Sequence, residues 1–215
     1  MAELSHVCDR VIVNEPRPSA LGLSPQMVAR VLDAADRCIV GLGLEATSMT
    51  AVANEAGVSR QSVHRLFHTR DQMLEALGLR QIHRRLDVVI PKAARRRTAQ
   101  ARLEAFVLEW ASTGDVVATR LPSFKDPDIQ VRALILMLRS PEYVPLLGGH
   151  LRKLVHGAPG EEQLRHPDDW EGMALMVLQH TSLRRIRAHP STKPTELAFV
   201  RRYLIPALFK TEERP

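Results

Sequence analysis

The stretch Gly43-Leu44-Glu45-Ala46-Thr47-Ser48-Met49-Thr50-Ala51-Val52-Ala53-Asn54-Glu55-Ala56-Gly57-Val58-Ser59-Arg60-Gln61-Ser62-Val63-His64-Arg65-Leu66-Phe67 decides the fold. Gly43 ends a preceding helix, because glycine accepts the left-handed backbone that helix ends often need. Thr47 and Ser48 carry hydroxyls suited to cap the next helix, accepting bonds from otherwise orphaned backbone N–H groups. Met49, Val52, Ala53 and Ala56 then recur at helical spacing and form a small apolar stripe. Gly57 breaks that helix and permits a sharp turn, Val58 plugs the corner, and Ser59 is the N-cap of a second helix over residues 60–67. Val63 and Phe67 are four apart and share the face that points at the core. At about 100° per residue, Gln61 and Arg65 lie opposite that face, flanked by Arg60, Ser62 and His64. Two short helices joined by a tight turn, the second polar and basic on its outer side, are the layout of a helix-turn-helix. The second helix of that layout fits the DNA major groove.

The chemistry of the outer face agrees. Arg matches the acceptors of guanine, Gln matches adenine, and Ser or His serves bases or phosphates. The plain alternative is a solvated face on an ordinary helical bundle; the caps, the Gly57 corner and Val58 together favour the DNA reading. The pattern continues into a third element. Thr69-Arg70-Asp71-Gln72 is a capping box, Asp71 suits the positive helix terminus, and Met73, Leu74 and Leu77 begin an apolar face.

Over Ser24 to Leu77 the chain resembles the TetR (tetracycline-repressor) family of bacterial regulators. The residues that carry the resemblance are Gly43-Leu44, Thr47-Ser48-Met49, Ala53-Asn54-Glu55-Ala56-Gly57-Val58-Ser59, Val63-His64-Arg65-Leu66-Phe67 and Arg70-Asp71. Two positions depart from the family pattern. His64 stands where the family usually has Tyr, and its charge depends on pH. Arg70 stands where Lys is usual, keeping the charge for a phosphate contact. Residues and resemblance together give Thr47, Ser48, Ser59, Arg60, Gln61, Ser62, His64, Arg65 and Arg70 as candidate DNA contacts. The resemblance also implies a homodimer formed through the last two helices and a small-molecule cavity in the second domain. In the family, repression is the commoner outcome.

The chain has 215 residues and a formal net charge of +6. That length accommodates a small DNA-reading domain and a larger bundle, and a basic balance is compatible with a polyanionic partner. The densest basic runs are Arg84-Arg85 and Arg95-Arg96-Arg97; the latter reads as a solvated helix end suited to the negative terminus, favoured over a DNA contact because it lies far along the chain from the reading helix. Of two cysteines, Cys38 falls in the apolar pattern of the first helix and Cys8 in a poorly patterned arm; no disulfide framework or zinc spacing exists. Glu3 and Asp9 interrupt any leader-like apolar run, and no stretch approaches the ~18 apolar residues that span a bilayer. The expectation is a soluble, cytoplasmic protein.

Residues 1–23 read as a flexible arm, 24–84 as the DNA-binding domain and 85–212 as a ligand-binding and dimerisation domain. Ser24-Pro25 caps and opens the first helix, which buries Val28, Val31, Leu32, Ala35 and Ile39. The helix from Arg70 is expected to run to about Ile90, where Pro91 kinks or ends it. Beyond it come helices over about 98–117, from Asp126-Pro127-Asp128, and from Ser140-Pro141-Glu142 toward Val155, with Gly148-Gly149 marking a break. The last two open at His166-Pro167-Asp168 and Lys193-Pro194-Thr195-Glu196, and Pro206 bends the final turn. The fold class is all-α. Met173 to Leu178 is apolar nearly all round, and Leu197, Val200, Leu204 and Leu208 form a stripe.

Phe106, Trp110, Met137, Leu138, Trp170, Met173 and Met176 are candidate walls of the cavity, although plain core is the favoured reading of each. Thr113, His150 and His180 are candidate polar anchors. The competing class is a helical enzyme or metal protein, raised by nine histidines. His150 and His156 are badly spaced for one metal, and no His-Glu-x-x-His, phosphate loop or nucleophile elbow occurs. No catalytic residue, metal ligand or cofactor is therefore expected. The expected partners are a palindromic double-stranded DNA operator, an effector molecule and a second copy of the chain.

Overall fold

The structure, a computed structural model, describes residues 24–120, 135, 141–186 and 192–210. The expected arm over 1–23, Cys8 and the expected helix starting at Asp126 lie outside the described residues, apart from the helical Ile135. The regular structure among the described residues is helical, with one isolated bridge between Leu164 and Phe209. The chain divides into two compact units, residues 1–83 with 118–137, and residues 84–117 with 138–215.

The first unit is a head of four helical pieces: α1 Pro25–Leu42, α2 Met49–Ala56, α3 Arg60–Leu66 and the start of α4 Arg70–Ala94. Ser24 caps α1, its Oγ accepting from Met27 N at 3.2 Å, and Pro25 fills the first turn, where no N–H is needed. Gly43 ends α1 at φ 83°, its N–H bonded to Ile39 O. Val31, Val52, Val63 and Met73, one from each of these helices, are fully buried in one core. Removing each from water contributes roughly 1.5–3 kcal/mol. The heptad-like positions of α1 are buried as the sequence pattern predicts, and Cys38 lies among them. Burial pushes its thiol above the ordinary 9.0.

A partly buried ion cluster supplements this core. Arg80 of α4 reaches Asp33 through Nη1 at 2.9 Å and Asp36 through Nη2 at 3.3 Å, and Gln81 donates to the same Asp36 at 2.9 Å. Arg80 also donates to Ala29 O at 3.3 Å, so α4 is fixed to α1 along that helix's length.

α4 does not stop near Ile90. It continues through Pro91 to Ala94. A proline removes one helical N–H and crowds the carbonyl four residues back. Here residues 87 and 91 are both exposed, so solvent can serve the Asp87 carbonyl and the helix carries on.

The second unit contains the end of α4, α5 Ala99–Arg120 as far as Val117, α6 Tyr143–Val155, a 3-10 turn Glu161–Gln163, α7 Trp170–Ile186, α8 Lys193–Phe199, a π turn Val200–Leu204 and α9 Ile205–Leu208. Gly148-Gly149 does not break α6. A Cβ at Gly148 would stand 2.8 Å from Trp170 O, so glycine is there because the α7 backbone approaches closely. Val200, Leu204 and Leu208 form the buried stripe of the last segment, and the helix widens to a π turn just before Pro206. A wider turn accommodates a residue without an N–H. Arg165 then holds the end of the last described helix, its Nε donating to Pro206 O and Phe209 O at 2.9 Å each. Lys210 N donates to Gln163 O at 2.7 Å. No described helix is long and apolar enough to cross a membrane.

Candidate nucleic-acid interface

The corner of the helix-turn-helix is a Schellman motif. Gly57 sits at φ 64°, ψ 39°, its N–H bonded to Asn54 O at 3.1 Å, while Val58 N bonds to Ala53 O at 3.0 Å. Val58 packs on the head core from this position. Ser59 caps the next helix, its Oγ accepting from Ser62 N at 3.0 Å and lying 2.9 Å from Ser62 Oγ. Those caps fix where α3 begins and therefore which residues face out. Val63, Leu66 and Phe67 are buried, whereas Arg60, Gln61, His64 and Arg65 are exposed. Among the described residues none forms a side-chain hydrogen bond or ion pair with Arg60, Gln61 or Arg65. The face holds two cations and no acid.

His64 stacks on His68, ring centroids 6.1 Å apart. His68 Nδ1 lies 3.2 Å from His64 O; a carbonyl only accepts, so that ring nitrogen carries the proton. The following capping box is complete. Gln72 Oε1 accepts from His68 N and Thr69 N at 3.0 and 3.3 Å, and Thr69 Oγ1 accepts from Gln72 N at 3.2 Å.

Two of the expected contacts are placed differently. Thr47 is wholly buried at 0 % exposure, and its hydroxyl donates to Gly43 O at 2.8 Å. Ser48 alone caps α2, accepting from Ala51 N at 3.1 Å, so Thr47 secures the turn from inside and does not face a ligand. Arg70 is also engaged within the head. Its Nε donates to Thr47 O at 2.7 Å, Nη2 donates to Leu44 O, and Nη1 is 3.9 Å from Asp71. Two of the five guanidinium N–H groups are thus turned onto backbone carbonyls of the head, where the role expected of Arg70 was a phosphate contact.

In the second unit, Phe106 and Trp110 are buried on α5 and stacked at 5.4 Å, with the Arg85 guanidinium 4.0 Å above Trp110. Met173 is buried on α7, while Trp170 and Met176 are half-buried. Met137 and Leu138 lie outside the described residues, as does the side chain of Thr113. His150 is half-buried; burial and then Lys153 push it below its usual range. Tyr143 is pushed up to about 12 by burial. His180 is bonded to Glu196, both nearly enclosed, with Phe199 stacked 4.7 Å from the imidazole. Sequence reasoning did not find the Arg80–Asp33–Asp36 cluster. Its signal was the spacing of Asp33 and Asp36, which puts two carboxylates on one side of α1. Among the described residues no three His, Cys, Asp or Glu side chains gather as a metal site.

A helical head that caps, turns and presents a basic second helix in this manner defines a helix-turn-helix protein. Residues 31–77 match the family model of bacterial regulatory proteins, tetR family. Over those residues the head carries the sequence pattern of that family. No curated protein matches it in sequence. Over 81–85 % of its length the chain shares its fold with solved structures. The multidrug binding protein EbrR, complexed with imidazole, is 16 % identical with a TM-score of 0.55, over 81 % of this chain and 93 % of that one. A TetR family transcription regulator from Marinobacter aquaeolei VT8 is 18 % identical with a TM-score of 0.52, over 85 % and 95 % of the two chains.

Proposed function

We propose that this chain is a dimeric repressor that reads a palindromic DNA operator with α3 and is released by a small molecule held in its second unit. The observation that carries the reading is the outer face of α3: Arg60, Gln61, His64 and Arg65 all exposed, with Arg60, Gln61 and Arg65 unengaged by any described residue. Arg60 and Arg65 suit guanine, Gln61 suits adenine, and His64 donates to a phosphate or base edge. Ser48, Ser59 and Ser62 stand at the two helix starts and complete the contact set.

Dimerisation is supported by apolar side chains that stay partly exposed on α7, α8 and the π turn, Leu175 at 39 %, Phe199 at 38 % and Tyr203 at 56 % exposure. A two-fold dimer sets two reading helices about 34–36 Å apart, one DNA turn. The effector is assigned to the surroundings of Phe106, Trp110, Trp170, Met173 and Met176, and its differential affinity for the two spacings of the heads sets the release. α4 contributes residues to both units and is the connecting element.

Selection of bound sites from a random DNA pool tests the reading. The expected product is one sequence with two-fold symmetry, bound without selectivity by the Arg60→Ala/Gln61→Ala double variant. Unselected binding by the wild type, or unchanged selectivity in the variant, would sink it.

A further inference from the structure

Arg70 is the first residue of α4, immediately past the helix-turn-helix, and its two carbonyl partners, Leu44 and Thr47, stand immediately before it. One guanidinium thus joins the two ends of the segment that contains α2, the Gly57 corner and α3. Thr47 completes the junction from the inside, its hydroxyl bonded to Gly43 O and its N–H to Leu44 O at 3.3 Å. The next residue, Ser48, caps α2, so whatever fixes Thr47 O fixes the start of the first helix of the motif. At the other end the junction is equally short: Thr69 and Gln72 close a capping box around Arg70. Arg70 is two-thirds covered, its side chain 32 % exposed.

We infer that Arg70 is a positioning residue that clasps the helix-turn-helix into a closed loop and sets the angle of α3, and that it makes no phosphate contact. The inference rests on the reading of α3 as the DNA-reading helix. The clasp depends on the shape of the group. A planar guanidinium presents Nε–H and Nη–H in a fixed fork and spans two carbonyls at once; an ammonium is a point charge that cannot hold both in that geometry. Lysine at this position keeps the charge and loses the clasp. Arg80 does the same work one stage further along α4, where it holds Asp33, Asp36 and Ala29 O, so the loop closed by Arg70 is itself fixed to α1.

Arg70→Lys and Arg70→Gln separate the two roles in the full-length protein. The clasp predicts that both variants lose amide exchange protection over residues 43–48 while the buried core of α1 keeps its own. It also predicts that both lose at least tenfold in the ratio of operator to random-sequence affinity, with the salt slope of random-sequence binding unchanged. A phosphate contact predicts the opposite: Arg70→Lys behaves as wild type, and Arg70→Gln lowers the slope by about one. Either of those results, or a 43–48 turn as protected in Arg70→Lys as in the wild type, overturns the inference. A wild type that selects no sequence is a different failure: it overturns the proposed function, and the exchange measurement still decides whether the clasp exists.

Discussion

At Gly57 the backbone has φ 64°, in the left-handed region where a Cβ crowds the following carbonyl. That crowding costs about 1–2 kcal/mol for most residues and less for asparagine. An added Cβ would meet nothing within 4 Å, so the cost at this position is purely conformational. Gly57→Ala is therefore expected to lower stability by about 1–2 kcal/mol in urea unfolding, and Gly57→Asn by less; equal losses would contradict this account. The corner was legible in the sequence because everything that builds it lies within a few residues, as with the Ser59 cap and the Thr69–Gln72 box. Arg70 and Thr47 were not legible as internal fasteners. Arg70 finds its acceptors 23 and 26 residues away, and a backbone carbonyl leaves no mark in a sequence. A cation beside a reading helix is written the same way whether it meets phosphate or its own chain.

Among the elements, α6 offers a contrast between adjacent glycines. Gly148 faces α7 at a distance that a methyl group would close to 2.8 Å, against backbone that cannot swing aside; Gly149 is exposed with open space around it. Alanine gains about 1 kcal/mol of helix propensity over glycine, while overpacking costs about 1–3 kcal/mol. Gly149→Ala is expected to raise the unfolding midpoint and Gly148→Ala to lower it. The same sign for both would show that α6 and α7 are not in contact through Gly148. This also explains why the sequence suggested a break. Paired glycines weaken a helix in isolation, and only the neighbouring helix reveals that one of them is a packing requirement. Proline within α4 misled in the same direction, since propensity alone carries no information about which side of the helix is wet.

For the molecule as a whole, His150 ties stability to pH. Burial, and then Lys153, hold it below its ordinary 6.5, with Asp87 opposing. The unfolded chain therefore binds that proton more tightly than the folded one. Stability is full above about pH 6.5 and declines as the pH drops beneath it. Melting curves of the wild type and His150→Gln at pH 7.5 and 5.5 are expected to show a smaller acid loss in the variant; parallel losses would assign the decline to other groups. At this scale the all-α class and the head were legible, because caps and helical periodicity are local. The pairing of Arg80 with Asp33 and Asp36 was not, since it joins residues distant in sequence. The stretch of α4 from Arg70 to Arg80 is fastened to the head at both points, whereas the rung missing at Pro91 lies near the far end, on a wet side. Past the fasteners the shaft is held by its own unit instead, with Leu86, Val89 and Ala93 buried and Lys92 paired to Glu109, so packing braces the place where the rung is lost.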